Sequence, residues 1–209
     1  MVTATESRLI LARLQRAAWA DSLLLIPYGD EAVMDGGRDL IAAYSEATSV
    51  TAADYFDDAR EASGTGGRFF AEPVILDRAL RIEKGLRWAC RSDTAARLKL
   101  VVESEVARPH RDTILENRRR DPRCVGWGRV TRPGACAFCR ALADRGAVYK
   151  EATVGFAAHD HCSCAAQPYF RGEKVGPEAD VMQYMASGRS RSPRERERMR
   201  EWIAGYEEE

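Results

Sequence analysis

The sequence has no surplus of charge: its 32 lysines and arginines are cancelled by 32 aspartates and glutamates. A chain without net charge makes no global electrostatic case for wrapping nucleic acid or lying on a membrane, so any basic surface must be local. Long apolar runs are missing too. Leu23-Leu24-Leu25-Ile26 is bounded by Asp21 and Pro27, far short of the ~20 residues that span a bilayer. The start lacks a secretory signature, because Glu6 and Arg8 come early and no cleavage-type ending follows. These absences predict a cytosolic origin and no membrane partner. We find no internal repeat. Histidine is scarce, at three residues, yet two of them stand beside four of the six cysteines, between positions 136 and 164. Cysteines spread through a secreted chain suggest a disulfide framework, whereas clustered thiols in a reducing compartment suggest metal.

What is present is enough to bury a core: 209 residues support one or two domains. A capping box, Thr3 with Glu6, opens an amphipathic helix carrying Ile10, Leu14 and Ala17 or Ala18 to about Leu25. After Pro27-Tyr28-Gly29 a second helical stretch, weakened by Gly36-Gly37, runs through Leu40, Ile41 and Tyr44, and a third begins at Thr51 and ends before the 63–67 glycine loop. From Glu72 the spacing of Ile75, Ala79, Ile82 and Leu86 predicts a strong helix. A further helix carries Leu98, Val101, Val102 and Val106 and meets Pro109, which should kink or restart it before Asp121-Pro122 ends it.

Beyond that point the texture changes. Residues 124–130 alternate like a strand, Val148-Tyr149 resembles another, 165–170 a third, and a short helix over 137–145 stops at Gly146. A basic stretch, 187–191, leads into a second capping box, Ser192-Pro193-Arg194-Glu195, and a terminal helix with Met199, Trp202, Ile203 and Tyr206 on one face. The expected class is α+β: a mostly helical N-terminal region (1–70) and long helical segment (71–121), a small zinc-binding β/α module (122–172), and a flexible tail with a C-terminal amphipathic helix (173–209).

Cys136-Ala137-Phe138-Cys139 is a tight turn that can aim two sulfurs at one zinc ion, about 2.3 Å from each. After a 19-residue spacer, His159-Asp160-His161-Cys162-Ser163-Cys164 offers four more donors. Four ligands complete a tetrahedron. Cys136 and Cys139 are the first two, His159 is preferred third with His161 as its substitute, and Cys162 or Cys164 closes the shell. A redox Cys-x-x-Cys would not need the second half-site, and a catalytic zinc keeps an open position and a carboxylate base where this set has excess thiols. The zinc is therefore expected to be structural.

Other candidates are weaker. Arg118, Arg119, Arg120 and Arg123 form a local cluster that reads either as a solvated helix end or as a contact for DNA phosphates. Arg189 to Arg200 alternate with Glu195 and Glu197 as a salt-bridged helix face. Ser104, His110 and Asp112 lie on one helical stretch and cannot converge as a triad. No catalytic residues are assigned.

Asp121-Pro122-Arg123, Gly126-Trp127-Gly128-Arg129-Val130, the run from Gly134 to Tyr149, and His159-Asp160-His161-Cys162-Ser163-Cys164 resemble the Mu F-like minor head proteins of tailed phages, in the version common in phages of actinobacteria. The resemblance covers residues 121–170; 72–120 are similar in layout. The family pattern, Cys-x-x-Cys, a glycine followed by a strand, then His-x-x-Cys-x-Cys, implies His159 rather than His161 as ligand. It also implies a low-copy protein of the capsid interior. Such a protein accompanies the portal, with scaffold or major capsid protein as further partners, during assembly in the host cytoplasm, and can stay with packaged double-stranded DNA in the virion. Related genes carry a capsid maturation protease label, for which no nucleophile is evident here. A protease or other zinc hydrolase and a zinc-stabilised DNA-binding module are the alternatives.

Overall fold

A computed structural model describes residues 1–144, 162–173 and 192–205. Four helices form the body: α1 (Ala4–Leu23), α2 (Asp30–Ala62), α3 (Ala79–Ala89) and α4 (Thr94–Arg120). They are followed by β1 (Cys124–Val130), α5 (Ala137–Ala143), β2 (Ala165–Phe170) and α6 (Pro193–Ala204). The architecture is α+β. Among the described residues no helix is long and apolar enough to cross a membrane.

α1 starts at the expected capping box: the Thr3 N–H donates to Glu6 Oε2 at 2.8 Å and the Glu6 N–H donates to Thr3 Oγ1 at 3.2 Å. Its buried face is turned from the expected one. Leu11, Gln15, Ala18 and Ser22 are inside, while Ile10 and Leu14 are half-buried at the rim. Polar residues on the inner face, Ser7, Gln15 and Ser22, concealed it from a purely apolar count.

α2 is one helix of 33 residues, not two. Gly36 and Gly37 do not interrupt it; they let neighbours approach. A Cβ at Gly37 would come within 3.1 Å of Leu86 Cδ2, and one at Gly36 within 2.8 Å of Leu25 Cδ2. Close packing of α3 and of the α1–α2 connection onto α2 thus offsets the helix cost of two glycines.

The helix expected from Glu72 begins only at Ala79. Residues 63–78 instead form an extended strap whose backbone is satisfied by side chains of α2 and α4. The Ala71 N–H donates to Asp57 Oδ1 (2.9 Å), the Glu72 N–H to Asn117 Oδ1 (2.9 Å) and the Val74 N–H to Thr113 Oγ1 (3.0 Å), while Asn117 Nδ2 donates to the Glu72 carbonyl (2.7 Å). Pro73 cannot donate, and these tertiary partners outcompete the helix that Ile75 and Ala79 suggested. Ile75 is left exposed.

α4 is the spine, touching α1, α2, α3, β1 and β2. It continues through Pro109 without the restart expected there as the alternative to a kink. The lost hydrogen bond is outweighed by packing on both sides of it: Leu98, Val102 and Val106 before and Ile114 after are fully buried. The upper core combines these α4 residues with Ala18, Val33, Ile41, Leu86 and Ala89.

β1 and β2 pair antiparallel, Trp127 opposite Pro168 and Gly128 opposite Gln167, with an irregularity between Cys124 and Gly126. They cover the far half of α2 and α4: Tyr55, Phe56, Ile114, Cys124, Trp127 and Phe170 make one cluster. The Phe56 and Phe170 rings meet edge to face at 5.4 Å. A buried ion pair, Arg60 Nε to Asp121 Oδ2 at 2.9 Å, staples the end of α2 to the end of α4, and the rest of the guanidinium donates to the carbonyls of Thr65, Gly66 and Gly67.

α5 ends at Ala143, near the expected stop, and α6 begins at Pro193, where a terminal helix was expected. Val148-Tyr149, Gly146, His159, His161, the 187–191 stretch and Tyr206 lie outside the described residues, as do the side chains of Met199 and Trp202.

Candidate metal centre

The chain brings three thiols together from two places. Cys139 projects from the first turn of α5, and Cys162 and Cys164 stand immediately before β2. Their sulfurs all lie within 4.8 Å of one another, and the residues are 2%, 5% and 3% exposed. None is in a disulfide. Tetrahedral zinc–thiolate geometry needs sulfurs about 3.8 Å apart, so the cluster needs only a small contraction to hold an ion. Its chemistry fits a soft or borderline cation.

Of the predicted ligands, Cys162 and Cys164 both join Cys139, so the expected choice between them does not arise in this cluster. Cys136 stands at the N-cap of α5 with its carbonyl accepting from the Arg140 N–H at 3.0 Å. It is exposed and is not one of the three clustered sulfurs. His159 and its substitute His161 lie outside the described residues.

Two buried arginines that the sequence reading did not assign to the site hold the cluster. Arg111 of α4 grips the second half-site by its backbone: Nη2 donates to the carbonyls of Cys162 (2.7 Å) and Cys164 (3.0 Å), and Nε donates to Cys164 at 3.1 Å. Gln15 of α1 donates to the Cys162 carbonyl at 3.4 Å. Arg129 of β1 points Nη1 at the sulfurs themselves, 3.8 Å from Cys162 and 4.0 Å from Cys139. Donors and positive charge of this kind favour thiolate over thiol. The Cys162 thiol is accordingly pulled well down, first by hydrogen bonds from Cys139 and Cys164 and then by Arg111 and Arg129, while that of Cys139 is pushed up by the same sharing and by burial. Two guanidiniums thus stand ready to offset thiolate charge at this site. A usable signal was present in the sequence: Arg111 is spaced four after Ala107 and three before Ile114, both core residues, which puts a cation on the inner face of α4.

The other candidates separate from this centre. His110 is buried with Nε2 2.9 Å from Ser7 Oγ, and burial, then Arg111, pushes its pKa down to about 3. Asp112 is paired with Arg78, so Ser104, His110 and Asp112 are not brought together. In the basic cluster, Arg119 pairs with Glu116 at 2.8 Å, Arg120 with Glu72 at 2.7 Å, and Arg123 donates to the Gly66 carbonyl. Arg118 is half-buried beside them.

A helical body closed by a two-stranded sheet and a buried, metal-competent thiol cluster defines a small α+β protein with one candidate metal centre. The profile of the VG15 protein family matches residues 15–187. The chain belongs to that family, a family of phage gene products. No curated protein and no solved structure matches it.

Proposed function

We propose that this protein is a minor capsid protein of the phage head, low in copy number and associated with the portal, and that it acts structurally during head assembly. The observation that carries the reading is the character of the metal centre: three soft donors, all buried, backed by Arg111 and Arg129 and packed between α5 and β2. Once a fourth ligand from this chain closes the tetrahedron, such a thiol-rich set clamps two chain segments and leaves no open coordination position for substrate. Zinc is the ion we assign, with Cys136, one turn before Cys139, or His159 as the fourth ligand. Bound there, zinc supplies a cross-link between the two half-sites; this chain's own residues place and neutralise them. The resemblance of residues 121–170 to Mu F-like minor head proteins supports the head-assembly role, and membership of a phage family is consistent with it. Partners are expected to be the portal, scaffold or major capsid protein, and the site of action the capsid interior, where packaged double-stranded DNA is also within reach.

Two measurements test the proposal. Purified protein should contain zinc in one-to-one ratio, and affinity capture from cells assembling heads should retrieve portal or capsid protein. A folded, metal-free protein would remove the zinc assignment. Cleavage of capsid or scaffold protein by the purified chain, abolished by one substitution, would replace the structural role with a proteolytic one.

A further inference from the structure

Beside the thiol cluster lies a cleft of about 440 Å³ lined by Arg8, Arg16, Lys99, Arg132, Glu103 and Ser163, with Ala12 and Gln15 at its base. Its walls come from α1, from α4, from the turn before Cys136 and from the Cys162–Cys164 turn, so the metal half-sites build one side of it. Four cationic side chains face one carboxylate, Glu103, which is 3.9 Å from Lys99.

Arg8 is the telling residue. It is only 5% exposed, yet among the described residues it makes neither a hydrogen bond nor an ion pair, and its Nε is buried without a partner. Gln15, 4% exposed, uses its amide nitrogen on the Glu103 and Cys162 carbonyls and leaves Oε1 buried without a partner. A buried guanidinium without a counter-ion is costly; by contrast the buried Arg60 and Arg111 donate to oxygens, and the buried Arg129 points at the cysteine sulfurs. The cost is relieved if an anion occupies the cleft.

We propose that this cleft binds a phosphate group. The volume falls within the roughly 300–1,000 Å³ of small-ligand sites, which admits a phosphate-bearing small molecule or the phosphate at a strand end but not a duplex. Several guanidinium forks, an ammonium and a hydroxyl suit an anion with three or more acceptor oxygens and more than one charge better than a single carboxylate. The proposal uses none of the thiols as ligands and goes beyond the head-assembly reading.

The test is calorimetric titration of inorganic phosphate into the full-length, metal-loaded protein at low ionic strength. Saturable one-to-one binding that weakens with added salt is expected. Arg8→Gln should weaken it about tenfold or more, Arg16→Gln and Arg132→Gln about threefold each, and Arg38→Gln, on α2 and paired with Asp35, should leave it unchanged. Arg16 and Arg132 are exposed, so their variants keep the test valid if Arg8→Gln fails to fold. Equal affinity for phosphate and a mononucleotide identifies a small-molecule site. Tighter binding of a 5′-phosphorylated single strand than of its dephosphorylated form identifies a strand end. Absence of saturable binding, indifference to both Arg16→Gln and Arg132→Gln, or capture of a glutamate-rich peptide where phosphate fails would overturn the proposal.

Discussion

The two ends of α4 are held by different physics. At its first half, Leu98, Val101, Val102 and Val106 pack on α1, α2 and α3 in a core of hydrocarbon. The Cys-rich module near its second half, by contrast, has a cluster that among the described residues is made of Ala135 and three cysteines, with Phe138 partly buried against it. Between them β1 and β2 are anchored by Trp127 and Phe170 to the same core as Phe56 and Ile114. Where apolar area is plentiful the chain relies on it; where, among the described residues, it runs short, thiols and guanidiniums take over, and the thiols are placed to hold an ion. The contrast implies that the two ends should fail under different insults.

Removing the metal is expected to have the largest effect. Structural zinc contributes on the order of 10 kcal/mol of apparent binding energy in small sites. Chelation, or Cys164→Ser, should therefore abolish amide-exchange protection in β2 while the far-ultraviolet helical signal of α1 to α4 persists. Equal loss at both ends would erase the contrast. Phe56→Ala should cost about 3–5 kcal/mol in denaturant unfolding, because a fully buried ring at the junction leaves a cavity. Its effect should be similar with and without metal. Arg111→Met leaves the Cys162 and Cys164 carbonyls without these donors and should cost about 2–3 kcal/mol. Unlike Phe56→Ala, it should also lower zinc affinity in a competition titration with a chromogenic chelator. The smallest of the larger effects is a pH dependence set by His110, whose pKa is about 3 when folded against 6.5 ordinarily. The unfolded chain takes up this proton below about 6.5 while the folded protein resists it. The neutral-imidazole contribution is thus complete above pH 6.5 and is lost as pH falls toward 3, by a few kcal/mol. His110→Gln should flatten that part of the stability profile measured by urea unfolding, and an unchanged profile would exclude His110 as its source.

The helices with local signals were readable: the Thr3–Glu6 box, the Leu98 to Val106 stripe and the alternation of 124–130 all mark elements that form. What escaped was decided at a distance. Nothing local to Glu72 announces that Asn117 and Thr113 will take its neighbourhood's backbone hydrogen bonds, and nothing local to Gly36-Gly37 announces Leu25 and Leu86. The same holds at the metal centre. Thiol spacing pointed to Cys136, Cys139 and one of Cys162 and Cys164, because ligand turns are short-range patterns; the cluster instead joins Cys139 to both Cys162 and Cys164 and leaves Cys136 exposed. Arg111 and Arg129, which make the cluster tolerable in the interior, belong to other elements; the spacing of Ala107, Arg111 and Ile114 turns Arg111 inward, but nothing local to it names the carbonyls it will hold.

The grip of Arg111 on the Cys162 and Cys164 carbonyls spans 51 and 53 residues of chain. Contacts of such separation form late, since the entropy of closing the intervening loop has to be met before they return anything. α1 to α4 are joined over still longer separations, Ser7 to His110 across 103 residues, but by packing and hydrogen bonds of their own side chains. The guanidinium on α4 offers a ready landing place for the second half-site, so the thiols can be gathered by the chain itself. On the proposed zinc assignment, completion of that end is linked to metal supply.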